Sequence, residues 1–323
     1  FLPANFELSQ WEGLEPYFKA LLDREITNKL TLESWLQDLS ELEAFISEDA
    51  CWRQIKMTCD TTDKSLEAAF TFFCMEIQPK IQPYADALNK KLIQCPFTNE
   101  LDEKEYFTYL RSVKKSIELF REENITLQAE LSVLQQQYGT IAGRMTITVD
   151  DKEYTLQQAA QFLESEDRVK REEVYLKIQE RRLQDQQEMH DLFTSLIQKR
   201  HQVALNAGFE NYRDYKFAEL GRFDYTKEDC FKFHEAIKIH VLPIIDKIYE
   251  RKKNKLGLAT LKPWDTEAEP AGTKPLRPFT DGKDLFDKSV SCFEQINPFF
   301  ADCLKKMDSL KHFDLESRQG KAP

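Results

Sequence analysis

Apolar positions along the first hundred residues recur every three or four places. Trp35, Leu36, Leu39, Leu42, Phe45 and Ile46 form one such stripe, and Ala68, Ala69, Phe72, Phe73 and Ile77 form a second. A stripe of that period is the face a helix buries against a neighbour. Residues 1 to about 100 therefore read as several amphipathic helices, with Pro79, Pro83 and Pro96 marking breaks. At helical spacing these aromatic residues are core rather than a ligand box. A long helix is expected from about Asp102 to Gln137, its apolar side carrying Tyr106, Leu110, Val113, Ile117, Leu127, Leu131 and Leu134. Its heptad-like stretches are too short for a dimeric coiled coil.

After Tyr138-Gly139 the period shortens to two. Residues 145–149, the polar Asp150-Asp151-Lys152 and then Glu153-Tyr154-Thr155 predict a β-hairpin near 144–155. Thr155 with Gln158 forms a capping box for the helix that follows. A second long helix is expected from Asp167 to Ala207, closed by Gly208 in a left-handed cap with Phe209 as its apolar partner. Asn211 or Asp214 can start the next helix, and Thr226 with Asp229 caps another, which Pro243 kinks and Gly257 ends. The Pro-rich stretch from Thr266 to Thr280 reads as an irregular surface connection, and Asn297-Pro298 as a cap with its first-turn proline. Phe313, Leu315 and Ser317 alternate with Asp314 and Glu316, predicting a short strand near 313–317 that runs into Gly320. A chain that stops three residues after such a pattern reads as cut, so a larger protein is expected, with most of its chemistry beyond Pro323.

Composition agrees with the pattern. Only 9 Gly and 12 Pro among 323 residues, with 31% charged, is a helix-rich balance, and 41% hydrophobic residues can build real cores. A net charge of -11 argues against a duplex nucleic-acid or anionic-membrane surface. The basic run Arg251-Lys252-Lys253 fits a solvated helix end, where cations suit the dipole. The 7 cysteines are widely spaced and include no C-x-x-C pair, so reduced thiols of a cytoplasmic protein are expected. The longest apolar run, Ala68 to Met75, is too short to span a bilayer.

No complete catalytic constellation appears. His234-Glu235 opens like the His-Glu-x-x-His zinc motif, but Lys238 stands where the second histidine belongs. His240, six residues on, lies about 120° round a regular helix, against about 40° for the motif. His190, His201 and His312 have no companion His or Cys at ligand spacing, and there is no nucleophile elbow, P-loop or dinucleotide fingerprint.

Three stretches together resemble the oligoendopeptidase F group of zinc metallopeptidases, relatives of thimet oligopeptidase. The first is Arg200-His-Gln-Val-Ala-Leu-Asn-Ala-Gly-Phe-Glu-Asn-Tyr-Arg-Asp214, similar to an A-x-x-x-G-F-x-x-Y-x-D pattern. The second runs from Val241-Leu-Pro243 through Arg251 and Leu256-Gly257 to Leu261-Lys-Pro-Trp-Asp265. The third is Phe313-Asp-Leu-Glu-Ser-Arg-Gln-Gly-Lys-Ala-Pro323, close to D-L-x-x-R-x-G-K-A-P. Their order and spacing make chance agreement a poor explanation.

The resemblance implies a mainly α chain, the multi-helix lobe of a clam-like zinc oligopeptidase. It divides into an amino-terminal helical region (1–110), a long helix, hairpin and long helix (111–195), and the start of the peptidase domain (196–323). It implies hydrolysis of short peptides through a metal-activated water, with zinc as cofactor. Its histidine and glutamate ligands, and every catalytic residue, are absent from this chain, which is therefore expected to be inactive alone and to need the missing carboxy-terminal catalytic lobe as partner. Gly320, Lys321 and Ala322 are the candidate substrate-cleft residues, with a plain turn as the equal alternative. Trp264 and Asp265 read as structural, fixing the loop after a helix. Nucleic acid and membrane are not expected partners. The rival reading is a non-catalytic α-helical interaction or scaffold protein.

Overall fold

In the computed structural model, which describes residues 1–3, 5–270, 272–273 and 276–322, fourteen α-helices and one two-stranded sheet form among those residues. The helices α1 (Trp11–Asp23), α2 (Lys29–Cys59), α3 (Lys64–Phe72), α4 (Gln78–Gln94), α5 (Glu103–Leu119) and α6 (Glu123–Gly143) come first. They are followed by β1 (Thr146–Val149), β2 (Lys152–Thr155), α7 (Leu156–Ala159), α8 (Arg168–Gln184) and α9 (Gln186–Asn206). Next come α10 (Tyr212–Glu219), α11 (Lys227–Ala236), α12 (Leu242–Lys255), α13 (Gly282–Ile296) and α14 (Pro298–Ser309). The chain divides into two units, one of residues 1–142, 187–233 and 322–323, the other of residues 143–186 and 234–321. Ala271, Lys274 and Pro275 of the expected Pro-rich connection, and Pro323, lie outside the described residues.

In the first unit the stripe on α2 is core: Trp35, Leu32 and Leu42 are fully buried, beside Leu14 and Leu21 of α1 and Ile77. Two polar groups in this core are matched. Trp35 Nε1 donates to Leu21 O at 2.9 Å. The Lys91 ammonium reaches the last carbonyls of α1, at 3.0 Å from Leu21 O and 2.6 Å from Leu22 O, supplying donors that a helix end lacks.

Two of the expected proline breaks are absent. Between α3 and α4 the ladder widens into one π turn, Phe73–Ile77, so that the Gln78 N–H reaches Phe73 O. Pro79 then falls in the first turn of α4, where its missing N–H costs nothing, and Pro83 is carried inside the same helix. The same device precedes Pro243: a π turn over Ile237–Val241 joins α11 to α12. The kink expected at this proline is that wide turn.

Each of the two expected long helices is a pair. The helix expected over 102–137 stops at Phe120, whose ψ of 131 is extended, and α6 restarts at Glu123. Arg121 stabilises the break by donating to the carbonyls of Glu118 at 3.0 Å and Phe120 at 2.6 Å. The helix expected over 167–207 breaks at Asp185, whose carboxylate accepts from Arg144 Nη2 at 2.7 Å and Arg181 Nη1 at 2.5 Å.

In the second unit β1 and β2 pair antiparallel, Val149 opposite Lys152, around a two-residue turn. Asp150 and Asp151 take φ of 51 and 61, the left-handed pair that matches the twist of a tight hairpin. Val149 and Ile147 pack on Val174 and Ile178 of α8. The capping box of Thr155 and Gln158 is formed. The strand expected at 313–317 is not: the segment is irregular, and among the described residues it has no ladder partner, without which alternation cannot make a strand. Side chains hold it instead, with Gln158 Nε2 donating to Ser317 O at 2.8 Å and the Phe313 ring 5.6 Å from that of Phe286.

Candidate functional site

Asp265 is a fully buried charge of the second unit that accepts four hydrogen bonds. A short 3-10 turn, Pro263–Asp265, follows the loop after α12 and sets its carboxylate inward with no exposed surface. Arg168 grips it with two hydrogen bonds, Nε to Oδ1 at 3.0 Å and Nη2 to Oδ2 at 2.9 Å. Arg171 Nη2 donates to Oδ1 at 2.9 Å, and the Lys262 N–H to Oδ2 at 2.9 Å. Burial pushes this carboxyl up, but the hydrogen bonds from Arg168 and Arg171 and the Lys262 amide outweigh it and hold the group at about 2. Arg171 spends its other nitrogens on the carbonyls of Trp264 at 3.0 Å and Ser165 at 2.7 Å. Every acceptor here is already taken by this chain, so the cluster is a clasp between the first turn of α8 and the 263–265 turn. The sequence placed Asp265 in a structural role but did not show its partners, because Arg168 and Arg171 lie almost a hundred residues upstream in an ordinary charged helix.

The other motif residues are also placed by hydrogen bonding and ring contact. Gly208 has φ 84 and Phe209 N–H reaches back to Ala204 O at 2.9 Å, closing α9 as the sequence predicts. Asn211 caps α10, and Asp214 accepts from Arg213 Nε at 2.9 Å and Lys227 Nζ at 3.0 Å, which holds its carboxyl well below the usual range. The basic run of α12 is engaged, Lys252 with the Thr266 carbonyl and Lys253 with Glu250.

The three cleft candidates lie in a turn. Gly320 has φ 82 and its N–H donates to Gly143 O at 3.0 Å. The Lys321 N–H donates to Arg318 O at 3.3 Å, and the Lys321 ammonium to the carbonyls of Asp314 at 2.8 Å and Glu316 at 3.0 Å. The Ala322 N–H donates to Thr58 O at 2.8 Å.

Among the described residues no cluster of three His, Cys, Asp or Glu is placed to hold a metal ion. His240 lies within the π turn that follows α11, and His234 within α11 itself. The residues present therefore do not fit a zinc centre. None of the seven cysteines is paired in a disulfide. No helix among the described residues is long and apolar enough to cross a membrane. In the first unit a groove of about 790 Å³ runs beside α4, α5, α6 and α10. The sequence reading did not mark it, although its polar positions on α4 recur at helical spacing.

The structure is similar to PZ peptidase A, solved with an inhibitor, at 22% identity and a TM-score of 0.92, covering 98% of this chain and 57% of that one. A Bacillus anthracis protein described as an oligoendopeptidase F gives 19% identity and a TM-score of 0.91, covering 100% of this chain and 59% of the other. The oligoendopeptidase F of Enterococcus faecium gives 13% identity and a TM-score of 0.65, covering 93% of this chain and 64% of that one. At these identities the likeness is one of fold, and the chain spans less than two thirds of the length of each. No curated protein sequence matches it. Two family models do: the peptidase M3 N-terminal domain over residues 1–120 and peptidase family M3 over residues 161–283. Both models describe one family and between them they take in most of the sequence, so the chain belongs to the M3 peptidase family.

Proposed function

We propose that this chain is the amino-terminal part of a zinc-dependent oligoendopeptidase that hydrolyses short peptides, and that alone it neither binds zinc stoichiometrically nor cleaves. Membership of the M3 family supports a peptidase, and the single observation that carries the partial reading is the surface of three helices. Among their described residues α12 and α13 bury no side chain, and α14 buries only Ala301. Several of their apolar residues face solvent, with Ile244 55%, Ile296 72% and Phe299 65% exposed. Amphipathic helices with an open apolar face mark an interaction surface. The occupant we assign is the carboxy-terminal lobe, which would bring the metal ligands that these residues lack.

Gly320, Lys321 and Ala322 are proposed as cleft wall. Their N–H groups are engaged within the chain, so contact with an extended peptide would run through their other faces. The seven cysteines outside any disulfide and the acidic balance favour a reducing, cytoplasmic setting with peptides, rather than nucleic acid or membrane, as partners. The test is elemental analysis for zinc and a quenched-peptide assay on the 323-residue chain. The expected result is neither zinc nor cleavage, together with binding of a hydrophobic dye. Stoichiometric zinc or peptide cleavage by the chain alone would sink the proposal.

A further inference from the structure

The first unit has a second groove besides the one that Asp86 of α4 lines. It holds about 480 Å³ between α2 and α5, within the range of sites that take small molecules. One wall is a single face of α2, on which Glu33, Leu36, Gln37, Ser40 and Glu43 recur at helical spacing. The other is Tyr106 and Tyr109, three residues apart on α5. Leu36 is 9% exposed. Around it Gln37, Ser40, Glu43 and Tyr109 are exposed and Glu33 and Tyr106 half-buried, so a ligand can reach every polar group.

The two carboxylates are not satisfied by the chain. Glu43 has neither a cation nor a hydrogen-bond donor among the described residues, and the protein around it pushes its carboxyl up. Glu33 meets only Lys29, at 3.6 Å, in a partly exposed pair of the kind that contributes little. Across the groove, burial pushes the Tyr109 phenol up to about 12, and the Glu43 carboxylate adds to the shift. Tyr109 therefore lies close enough to feel that charge, yet the two make no hydrogen bond. A cation placed between them would relieve both groups. The side chains of Gln37, Ser40 and Tyr106 also make no hydrogen bond among the described residues.

Spacing selects the cation. Glu43 follows Glu33 by a helical rise of about 15 Å, too far for one metal ion to serve both carboxylates. A compact monoamine would neutralise one of them and leave the other. A methylene chain with an ammonium at each end can reach both, lay its stem on Leu36 and the two rings, and donate to the open amide and hydroxyl between them. Tyrosine rings attract ammonium groups as well as apolar stems.

We propose that the groove between α2 and α5 binds a linear polyamine, with one terminal ammonium on Glu43 and Tyr109, the other on Glu33, and the inner nitrogens donating to Ser40 and Gln37. Such binding is independent of peptide cleavage.

The test is titration calorimetry of the 323-residue chain with spermine, putrescine and magnesium chloride at constant ionic strength. Spermine is expected to bind at one site, putrescine, too short to span the carboxylates, about tenfold or more weakly, and magnesium not to displace spermine. Glu43→Gln and Glu33→Gln are each expected to weaken spermine about tenfold, the loss of one charge-assisted contact, and Tyr109→Leu to weaken it severalfold. Glu12→Gln removes the same charge on α1, outside the groove, and should leave binding unchanged. If Glu43→Gln does not fold, Glu33→Gln, Tyr109→Leu and putrescine still decide the matter. No heat with spermine at millimolar concentration, or putrescine binding as tightly as spermine, would overturn the proposal. So would an equal loss in Glu12→Gln and Glu43→Gln, which would mean a diffuse attraction to an acidic chain.

Discussion

Arg171 and Asp265, separated by 94 positions in sequence, meet at 2.9 Å with only 4% of the arginine side chain and none of the aspartate side chain exposed. Removing one partner of such a pair leaves the other charge buried and unmatched, which costs far more than the pair contributes when intact. Asp265→Ala is therefore expected to lower stability by about 3–5 kcal/mol. Arg168→Ala, whose side chain is 41% exposed, should cost clearly less than Arg171→Ala. Urea unfolding of the three variants checks the order; equal losses at the two arginines would show that burial is not what makes the clasp strong.

The same clasp sets an acid limit. The Asp265 carboxyl titrates at about 2 in the folded protein, below its value of about 3.9 in an unfolded chain. A depressed carboxyl contributes stability that is fully present above the unfolded value and is lost as pH falls through the folded one. Stability should therefore fall between about pH 4 and about pH 2. Asp185, held down by Arg144 and Arg181 against its burial, adds to the same slope. Replacing Asp265 with Asn should flatten the decline, measured as the pH dependence of the urea midpoint relative to the parent.

The hairpin turn offers an independent test of backbone strain. Asp151 holds φ 61, a left-handed conformation that costs a side-chain-bearing residue about 1 kcal/mol and glycine almost nothing. Asp151→Gly is expected to raise stability by up to about 1 kcal/mol, even after the added freedom of the unfolded chain, and Asp151→Val to lower it. Thermal unfolding followed by circular dichroism would read both. A Val variant as stable as the parent would mean that the turn is not in this conformation.

What the sequence made legible follows the range of the forces involved. Helix caps depend on residues three places apart, and the reading found Thr155 with Gln158, Gly208, Asn211 and Asn297 where the structure has them. The hairpin was visible because Asp150-Asp151 interrupts a period-two run. The breaks at Phe120 and Asp185 were not, since neither carries Gly or Pro. Each is stabilised by arginines, local at Phe120 and in part distant at Asp185. Pro79 misled in the opposite direction, because a π turn before it absorbs the missing donor and the helix runs on. The strand expected at 313–317 failed for want of a neighbour, which alternation alone cannot supply. At the candidate site, Gly320–Ala322 were named from resemblance, whereas the Asp265 clasp and the groove beside Asp86 depend on helices brought together by tertiary packing.

The stretch Arg200–Asp214, one of the three that carry the family resemblance, is anchored from a distance by Asn124. Asn124 is 2% exposed, and its Nδ2 donates at 3.0 Å to Val203 O, a carbonyl that also accepts the Ala207 N–H just past α9. Asn206 Nδ2 in turn donates to Asn124 Oδ1 at 2.8 Å, so one amide ties α6 to the last two turns of α9. Asn124→Leu fills similar volume but strips both bonds, leaving a buried polar group of α9 without its second partner, and is expected to cost about 1–3 kcal/mol. Asn206→Ala leaves Asn124 Oδ1 unmatched and should cost less, because Asn206 itself is half-buried. The two act through one network, so the double variant should lose less than the two single losses added together. A double-mutant cycle from urea midpoints at unchanged m-value measures this coupling. Strict additivity would mean that the Asn124–Asn206 bond is not formed in solution.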